Sequence, residues 1–208
     1  SMSDQPPSST QIKPPEQRPE HPDFWCKRFG EGLTPWDAGK VPAAFAEFVA
    51  CQPAPLNTLI PGCGRAWEAL HLAGLGWPVT ALDFSPTAVE HARAVVGAAR
   101  VTLVCDDFFT YTPAAPCALI YERAFLCAMP RKLWADWGRR VAELLPPGGL
   151  LAGFFFVCDW PKGPPFGILP EQLDELLTPN LERVEDAAVD DSISVFSGRE
   201  RWQVWRRI

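Results

Sequence analysis

The sequence predicts an α/β protein in which helices cover both faces of a doubly wound, mostly parallel seven-stranded sheet. From residue 24 onward, apolar runs of four to eight residues alternate with segments that repeat apolar residues at helical spacing. This alternation is the pattern of successive βαβ units. One run, residues 150–157, contains no polar side chain, which is typical of a strand buried on both faces. A length of 208 residues fits one such domain.

Charge and hydropathy exclude several other classes of protein. The net charge of −6 leaves no excess of basic residues for binding nucleic-acid phosphates. The longest uncharged apolar run, residues 150–158, has nine residues, whereas a membrane-spanning helix needs about 20. The seven cysteines lie at least ten residues apart, so we expect reduced thiols in a cytoplasmic protein rather than a zinc site or a disulfide framework. The three histidines have no metal-spaced partners, and no metal is expected.

The first 22 residues are predicted to form a disordered, proline-rich tail. They hold six prolines and only two apolar residues, Met2 and Ile12, which is too little apolar surface to offset the entropy of ordering the segment. The folded domain is therefore expected over residues 23–208.

Glycine and proline separate the first elements of this domain. Helices are expected over residues 24–30 and 41–51. A strand over residues 56–61 runs into a Pro-Gly-Cys-Gly turn, and helical spacing resumes over residues 66–75.

The next three strands each end in acidic residues. Ser85 as N-cap and Pro86 at the first helical position begin a helix after the first of them. The strands and the residues that end them are 78–82 before Asp83, 101–105 before Asp106 and Asp107, and 118–121 before Glu122 and Arg123.

The last elements are less evenly spaced. Residues 134–144 have the spacing of an amphipathic helix, which a Pro-Pro-Gly-Gly sequence ends before the strand over 150–157. Beyond that strand we expect a helix over 170–177 and two strands near 181–184 and 202–205.

The ends of the first two strands carry the residue types of a nucleoside site. Open α/β sheets bind ligands beyond the carboxyl ends of their strands. Gly62 and Gly64 let the backbone approach a ligand there, and Asp83, 19 residues later, stands where a carboxylate accepts hydrogen bonds from ribose hydroxyls. Trp67 replaces the third glycine of a dinucleotide motif, which disfavours a pyrophosphate. A tight turn and a helix-capping carboxylate are the purely structural alternative.

Further motifs, taken in order, favour one class of enzyme. Asp106-Asp107-Phe108 offers carboxylates and a ring edge to an adenine, and Pro-Pro-Gly-Gly precedes the fifth strand. Together with Gly62, Gly64 and Asp83, this set resembles the class I S-adenosylmethionine-dependent methyltransferases, a Rossmann-like fold.

Aromatic motifs make the resemblance narrower. From residue 23 to the C-terminus, the sequence closely resembles the thiopurine S-methyltransferase superfamily, including its plant-type thiol and halide methyltransferases. It departs from that pattern at Glu122, where the family usually has Asp, and at Trp67-Glu68, where an aromatic residue or His followed by Asp is common. The motifs that carry the resemblance, in order, are Phe24-Trp25, Phe29, Thr34-Pro35-Trp36-Asp37, Ile60-Pro61-Gly62-Cys63-Gly64, Leu82-Asp83-Phe84-Ser85, Asp107-Phe108-Phe109, residues 121–128 and Gly163-Pro164-Pro165-Phe166.

The resemblance implies an enzyme that transfers a methyl group from S-adenosylmethionine, leaving S-adenosylhomocysteine. The acceptor would be a small soft nucleophile: a thiol, thiopurine, hydrosulfide, halide or chalcogen compound. Arg123 would lie beside the methyl-transfer site as the catalytic residue. The cofactor-binding residues would be an aromatic cover of Trp25, Phe29 and Trp36, then Gly62 and Gly64 at the amino-acid portion, Asp83 and Phe84 at the ribose, Asp106, Asp107 and Phe108 at the adenine, and Glu122.

Each of these roles has a competing interpretation. Trp25 and Trp36 could be ordinary core aromatics, and Arg123 could be the ion-pair partner of Glu122 or Asp159. For the whole protein, the rivals are a non-catalytic S-adenosylmethionine-binding or regulatory module and, with less support, a nicotinamide-dependent oxidoreductase. We expect a monomer that acts on a small molecule, without nucleic acid or membrane as partners.

Overall fold

A computed structural model describes residues 12–34, 39–62, 64 and 66–208. Within these ranges it contains a seven-stranded sheet of order β3-β2-β1-β4-β5-β7-β6, which confirms the predicted fold class. The first five strands are mutually parallel, and β7 pairs antiparallel with both β5 and β6. The strands are β1 (Thr58–Pro61), β2 (Val79–Asp83), β3 (Thr102–Cys105), β4 (Leu119–Glu122), β5 (Leu150–Phe156), β6 (Leu181–Ala188) and β7 (Glu200–Arg207).

Six α-helices accompany the strands in the part of the chain that the structure describes. The helix after β2 begins as predicted, because the Ser85 hydroxyl accepts a hydrogen bond from the Ala88 N–H at 3.1 Å. The last two strands are longer than predicted, since charged residues on the exposed β6 hide the strand pattern. The helices are α1 (Pro22–Gly30), α2 (Ala43–Ala50), α3 (Trp67–Gly74), α4 (Pro86–Val96), α5 (Trp134–Leu144) and α6 (Pro170–Leu177).

Each face of the sheet carries its own apolar core. Successive side chains of a strand point to opposite faces, so Phe155 of β5 packs with Trp137 on one side while its neighbour Phe154 packs with Trp202 on the other. This arrangement explains why residues 150–157 are apolar throughout. At Gly153 a Cβ atom would lie 1.9 Å from the Glu122 carbonyl oxygen. The close approach of β5 to β4 at this position therefore requires a glycine.

The N-terminal segment differs from the predicted tail over the residues that the structure describes. A single 3-10 turn forms at Pro15–Gln17, and the Pro19 carbonyl accepts a hydrogen bond from Trp25 Nε1 at 2.7 Å. The Glu20 side chain is only 16% exposed and pairs with Lys132 Nζ at 3.2 Å. The segment is held by contacts from the domain rather than by apolar residues of its own, and composition alone does not reveal such contacts.

Candidate active site

A cavity of about 320 Å³ opens at the carboxyl ends of β1 to β4. The strand order reverses there, since β2 and β4 flank β1 on opposite sides, and this is where doubly wound sheets bind ligands. The volume lies at the lower end of the range of small-molecule pockets, roughly 300–1,000 Å³. The cavity extends from Asp106 and Asp107 after β3 to Val195 and Phe196 before β7, and α1 covers one side.

Most of the residues predicted for the site meet in this cavity. Two do not contribute to the described lining: Glu122 points elsewhere, and Trp36 lies outside the described residues. Those that line the cavity are Trp25, Phe29, Gly62, Gly64, Asp83, Phe84, Asp106, Asp107, Phe108 and Arg123.

Asp83 is a fixed acceptor at the end of β2. The residue is 7% exposed, and its carboxylate accepts hydrogen bonds from the Ser85 N–H at 2.9 Å and from the backbone of Gly64 and Phe84. Burial raises the pKa of Asp83 to about 6, while these three hydrogen bonds act in the opposite direction. At neutral pH the group is therefore mostly ionised and held in one orientation toward the cavity.

The two glycines after β1 serve different purposes, although the sequence assigned them one. Both have positive φ, +63° at Gly62 and +52° at Gly64. A Cβ atom at Gly62 would lie 2.5 Å from Cδ1 of Phe125, so this glycine makes room for a side chain of the protein. A Cβ atom at Gly64 would meet no atom of the described residues within 4 Å, so among these residues the backbone borders open space that a ligand can enter.

Asp106 and Asp107 lie on the exposed rim of the cavity, after β3. The Asp106 carboxylate accepts the Asp107 N–H at 2.7 Å, and the Asp107 carboxylate accepts the Phe109 N–H at 2.9 Å. These bonds fix the turn that presents the buried Phe108, whose ring contacts Phe125 edge-on at 5.2 Å between centroids. The turn thus supplies both a polar rim and an aromatic wall.

Glu122, which the sequence places in the cofactor-binding set, lies apart from the described lining of this cavity. Tyr121 and Arg123 line the cavity, and Glu122 between them points to the opposite face of the sheet. Its carboxylate accepts the N–H groups of Phe125 at 3.0 Å and Leu126 at 3.1 Å. Burial raises the pKa of Glu122 to about 7. The residue holds the turn after β4 and does not touch the cavity.

Arg123 is paired, but with neither of the partners that the sequence suggested. Its Nη1 lies 3.2 Å from Oε2 of Glu68 in the first turn of α3, and the two side chains are 14% and 10% exposed. Burial alone would lower the pKa of Arg123, but Glu68 first, then Tyr121 and Glu200, raise it overall. The cavity therefore contains a permanent cation whose position is fixed by a buried carboxylate.

Several lining residues were not singled out from the sequence. They come from segments that the sequence pattern does not connect to the strand ends, so no local signal identifies them. They include Pro19, Glu20, Val195 and Phe196, whereas Glu68, Tyr121, Cys127, Pro164 and Pro165 lie in or beside the motifs of the family resemblance but had no site role assigned. Burial raises the pKa of the Cys127 thiol well above its ordinary value, so it stays protonated and unreactive at neutral pH.

The described residues include neither a candidate metal site nor a candidate membrane-spanning helix. No group of three or more His, Cys, Asp or Glu side chains there could hold a metal ion. Among the same residues, no helix has the length and apolar character needed to cross a bilayer.

Comparisons with known proteins agree with this geometry. The family described as thiopurine S-methyltransferase matches residues 20–208. The probable thiol methyltransferase 2 of Arabidopsis thaliana is 31% identical over 192 residues, which cover 88% of this chain and 84% of the relative. The thiopurine S-methyltransferase of Bordetella parapertussis is 28% identical over 181 residues, covering 77% and 83%.

A similar solved structure is the 1,6-didemethyltoxoflavin-N1-methyltransferase of Burkholderia thailandensis. Its TM-score is 0.72 at 18% identity, with 97% of this chain and 93% of that chain covered. The fold and the matching family together define a class I S-adenosylmethionine-dependent methyltransferase. Within that class, the chain belongs to the thiopurine S-methyltransferase family.

Proposed function

We propose that this methyltransferase acts on a small soft nucleophile: a thiol, thiopurine, hydrosulfide, halide or chalcogen compound. The observation that carries the proposal is Arg123, a buried cation in a cavity whose lining also includes the apolar or weakly polar side chains of Phe125, Cys127, Val195 and Phe196. Such a lining accepts a small polarisable anion and gives few hydrogen bonds to a large polar substrate. The names of similar proteins, which refer to thiols and thiopurines, point in the same direction.

The residues of the cavity fit S-adenosylmethionine. Open space borders the Gly64 backbone, where the amino-acid portion would lie, and the ionised Asp83 offers an acceptor for ribose hydroxyls. Phe108 and the rim carboxylate of Asp107 suit an adenine. Bound there, the cofactor supplies a methyl group on a positively charged sulfur, and aromatic side chains such as Trp25 tolerate that charge.

Arg123, Glu68 and Asp83 are not suited to remove a proton from the acceptor. Arg123 cannot act as a base at neutral pH, and Glu68 is occupied by Arg123. The Asp83 carboxylate is held by backbone N–H groups. A thiol with a pKa near ~8.5 is partly ionised in water, and a nearby guanidinium further favours the thiolate. The proposed enzyme therefore selects an acceptor that is already anionic.

What the protein contributes is alignment and a dry site. Holding two reactants in line can supply ~7–11 kcal/mol of a barrier, more than one acid–base contact gives. The helix α1, carrying Trp25 and Phe29, forms one wall, and the Glu20–Lys132 pair ties the segment before it to the turn that precedes α5. These contacts keep water away from the nucleophile.

We further propose a monomer that works in the reducing cytoplasm on small molecules, not on nucleic acid. The cysteines of the described ranges are all unpaired, as expected where thiols stay reduced, and the net charge of −6 opposes contact with phosphates. Light scattering coupled to size exclusion tests the monomer, and a mass of twice 23.0 kDa would contradict it.

The decisive experiment combines binding with turnover. Thermal shift with S-adenosylmethionine, S-adenosylhomocysteine and NAD should show stabilisation by the first two only, and a ligand at 100 times its Kd adds ~2.7 kcal/mol. Formation of S-adenosylhomocysteine is then followed with a thiopurine, hydrosulfide, iodide and a neutral amine. Preference for the amine would contradict the substrate class. Binding without turnover of any acceptor would favour the non-catalytic module.

A further inference from the structure

Tyr121 carries a buried hydroxyl group that the proposed function has not used. The residue lies in the middle of β4, is 0% exposed, and its ring packs against Phe45 at 4.4 Å between centroids. The same side chain lines the cavity. Its oxygen has no hydrogen-bond partner of ordinary geometry in the described ranges, although the Glu68 carboxylate lies close enough to interact with it. A buried hydroxyl without a partner costs stability, so a protein that keeps one has a use for it.

The surroundings of Tyr121 identify it as a hydrogen-bond donor. The charged groups that face it are Glu68 from α3, Arg123 from β4 and Glu200 from β7. Burial first, and then the negative charge of Glu68, raise the pKa of the Tyr121 hydroxyl well above its ordinary value. The group therefore keeps its proton at every pH at which the enzyme would work.

A second hydrogen-bond donor beside Arg123 would strengthen the attraction of the site for an anion. The positive charge of the guanidinium is partly balanced by Glu68 at 3.2 Å, and Glu200 is a further acidic group nearby. The net attraction for an anion is accordingly smaller than Arg123 alone suggests. A neutral O–H group next to the guanidinium adds attraction and direction without a further buried charge.

We propose that the Tyr121 hydroxyl donates a hydrogen bond to the nucleophilic atom of the acceptor and thereby determines which acceptors are used. The inference rests on the proposed function, because it assigns one contact within the same site. Its ligand class is a small anion that accepts hydrogen bonds well, such as hydrosulfide or a thiolate. Iodide, a large and weak acceptor, gains less from the contact.

The test removes only the hydroxyl, with Tyr121→Phe. We expect KM for hydrosulfide to rise roughly 10-fold, the scale for a hydrogen bond to a charged group. KM for iodide should change less than about threefold, since iodide is a weak acceptor, and Kd for S-adenosylhomocysteine should stay within about twofold, since its binding does not use this bond. Tyr111→Phe is the matched control, because Tyr111 is the other of the two tyrosines and lies outside the cavity lining.

The pH dependence of turnover is a further test, because it would not change if Tyr121 had only a structural role. A hydrogen bond to a bound thiolate lowers the pKa of the bound thiol, so its loss should shift the acidic limb of kcat for a thiol acceptor to higher pH. Melting temperature should fall little in Tyr121→Phe, since in the free protein the hydroxyl makes only a contact with Glu68 that lacks ordinary hydrogen-bond geometry. Equal losses for hydrosulfide and iodide, or a loss confined to cofactor affinity, would overturn the inference.

A measurement on the unaltered protein keeps the inference testable if Tyr121→Phe does not fold. Labelling the tyrosine ring carbon that bears the hydroxyl gives two signals in NMR, and Tyr111→Phe assigns them. Hydrosulfide added to the S-adenosylhomocysteine complex should move the Tyr121 signal alone. No movement while wild type methylates hydrosulfide overturns this inference only, whereas no methylation of any acceptor overturns the proposed function itself.

Discussion

Arg123 at the end of β4 and Glu68 in the first turn of α3 form a buried ion pair, with Nη1 and Oε2 3.2 Å apart. The pair joins two segments that are 55 residues apart in the sequence and faces the cavity from one wall. It therefore combines a structural contact with the cation of the candidate active site, and variants can separate the two roles.

Replacing Arg123 should lower both activity and stability. Arg123→Ala leaves Glu68 as an unpaired buried charge, which costs about 3–5 kcal/mol of unfolding free energy in comparable pairs. Activity should fall from wild type to Arg123→Lys to Arg123→Ala, because lysine keeps the charge but not the planar fork. The combined variant Arg123→Ala with Glu68→Gln should regain much of the stability without regaining turnover. Recovery of both would show that Arg123 has only a structural role.

Asp83 should control cofactor affinity in a pH-dependent way. Asp83→Ala removes a charged acceptor and should weaken S-adenosylhomocysteine binding by about 1.5–3 kcal/mol, measured by calorimetry. In wild type, affinity should fall as pH drops through about 6, where the carboxyl group takes up a proton. Asp174→Asn on α6, outside the cavity, is the control. A pH-independent affinity, or full affinity in Asp83→Ala, would rule out the ribose assignment.

Glu122 should influence stability without affecting the cofactor. Its pKa of about 7 in the folded protein exceeds the ordinary 4.5, so it contributes stability below pH 4.5 that is lost as pH rises through 7. The unfolding free energy of wild type should therefore fall by roughly 3 kcal/mol at most as pH rises from 4.5 through 7. Glu122→Gln should not show this fall. Affinity for S-adenosylhomocysteine at pH 7.5 should change less than about twofold, since Glu122 does not reach the cavity. A large loss of affinity would restore the cofactor-binding role that the sequence suggested.

Two N-terminal truncations should separate the contacts of the segment before α1. Deleting residues 1–11 removes none of the described contacts, and we expect unchanged cofactor affinity. Deleting residues 1–20 removes the Pro19 carbonyl that holds Trp25 and the Glu20 partner of Lys132, and affinity should fall several-fold. Glu16→Gln and Glu20→Gln form a matched pair, because only the second breaks an ion pair with Lys132. Wild-type cofactor affinity in both truncated proteins would show that the segment is dispensable.

The fold was predictable because the residues that begin and end its helices and strands are recognisable from the local sequence. Ser85 and Pro86 begin a helix, and acidic residues end strands whose carboxyl ends meet at one edge of the sheet. The partner of Arg123 was not predictable, since nothing in the sequence links α3 to β4. The side of the sheet that Glu122 faces depends on a one-residue register, which sequence alone leaves open. The order before α1 comes from contacts with Trp25 and Lys132, not from the composition of the segment.

The contact between Gly62 and Phe125 has a consequence for redesign of this enzyme. The ring fills the space that a side chain at residue 62 would need, so the turn after β1 and the turn after β4 fit together as one unit. Trimming Phe125 to enlarge the cavity would also remove the support of the Gly62 backbone. Under the proposed function, acceptor range and cofactor affinity are coupled through this contact, and a library that varies one turn should vary the other with it.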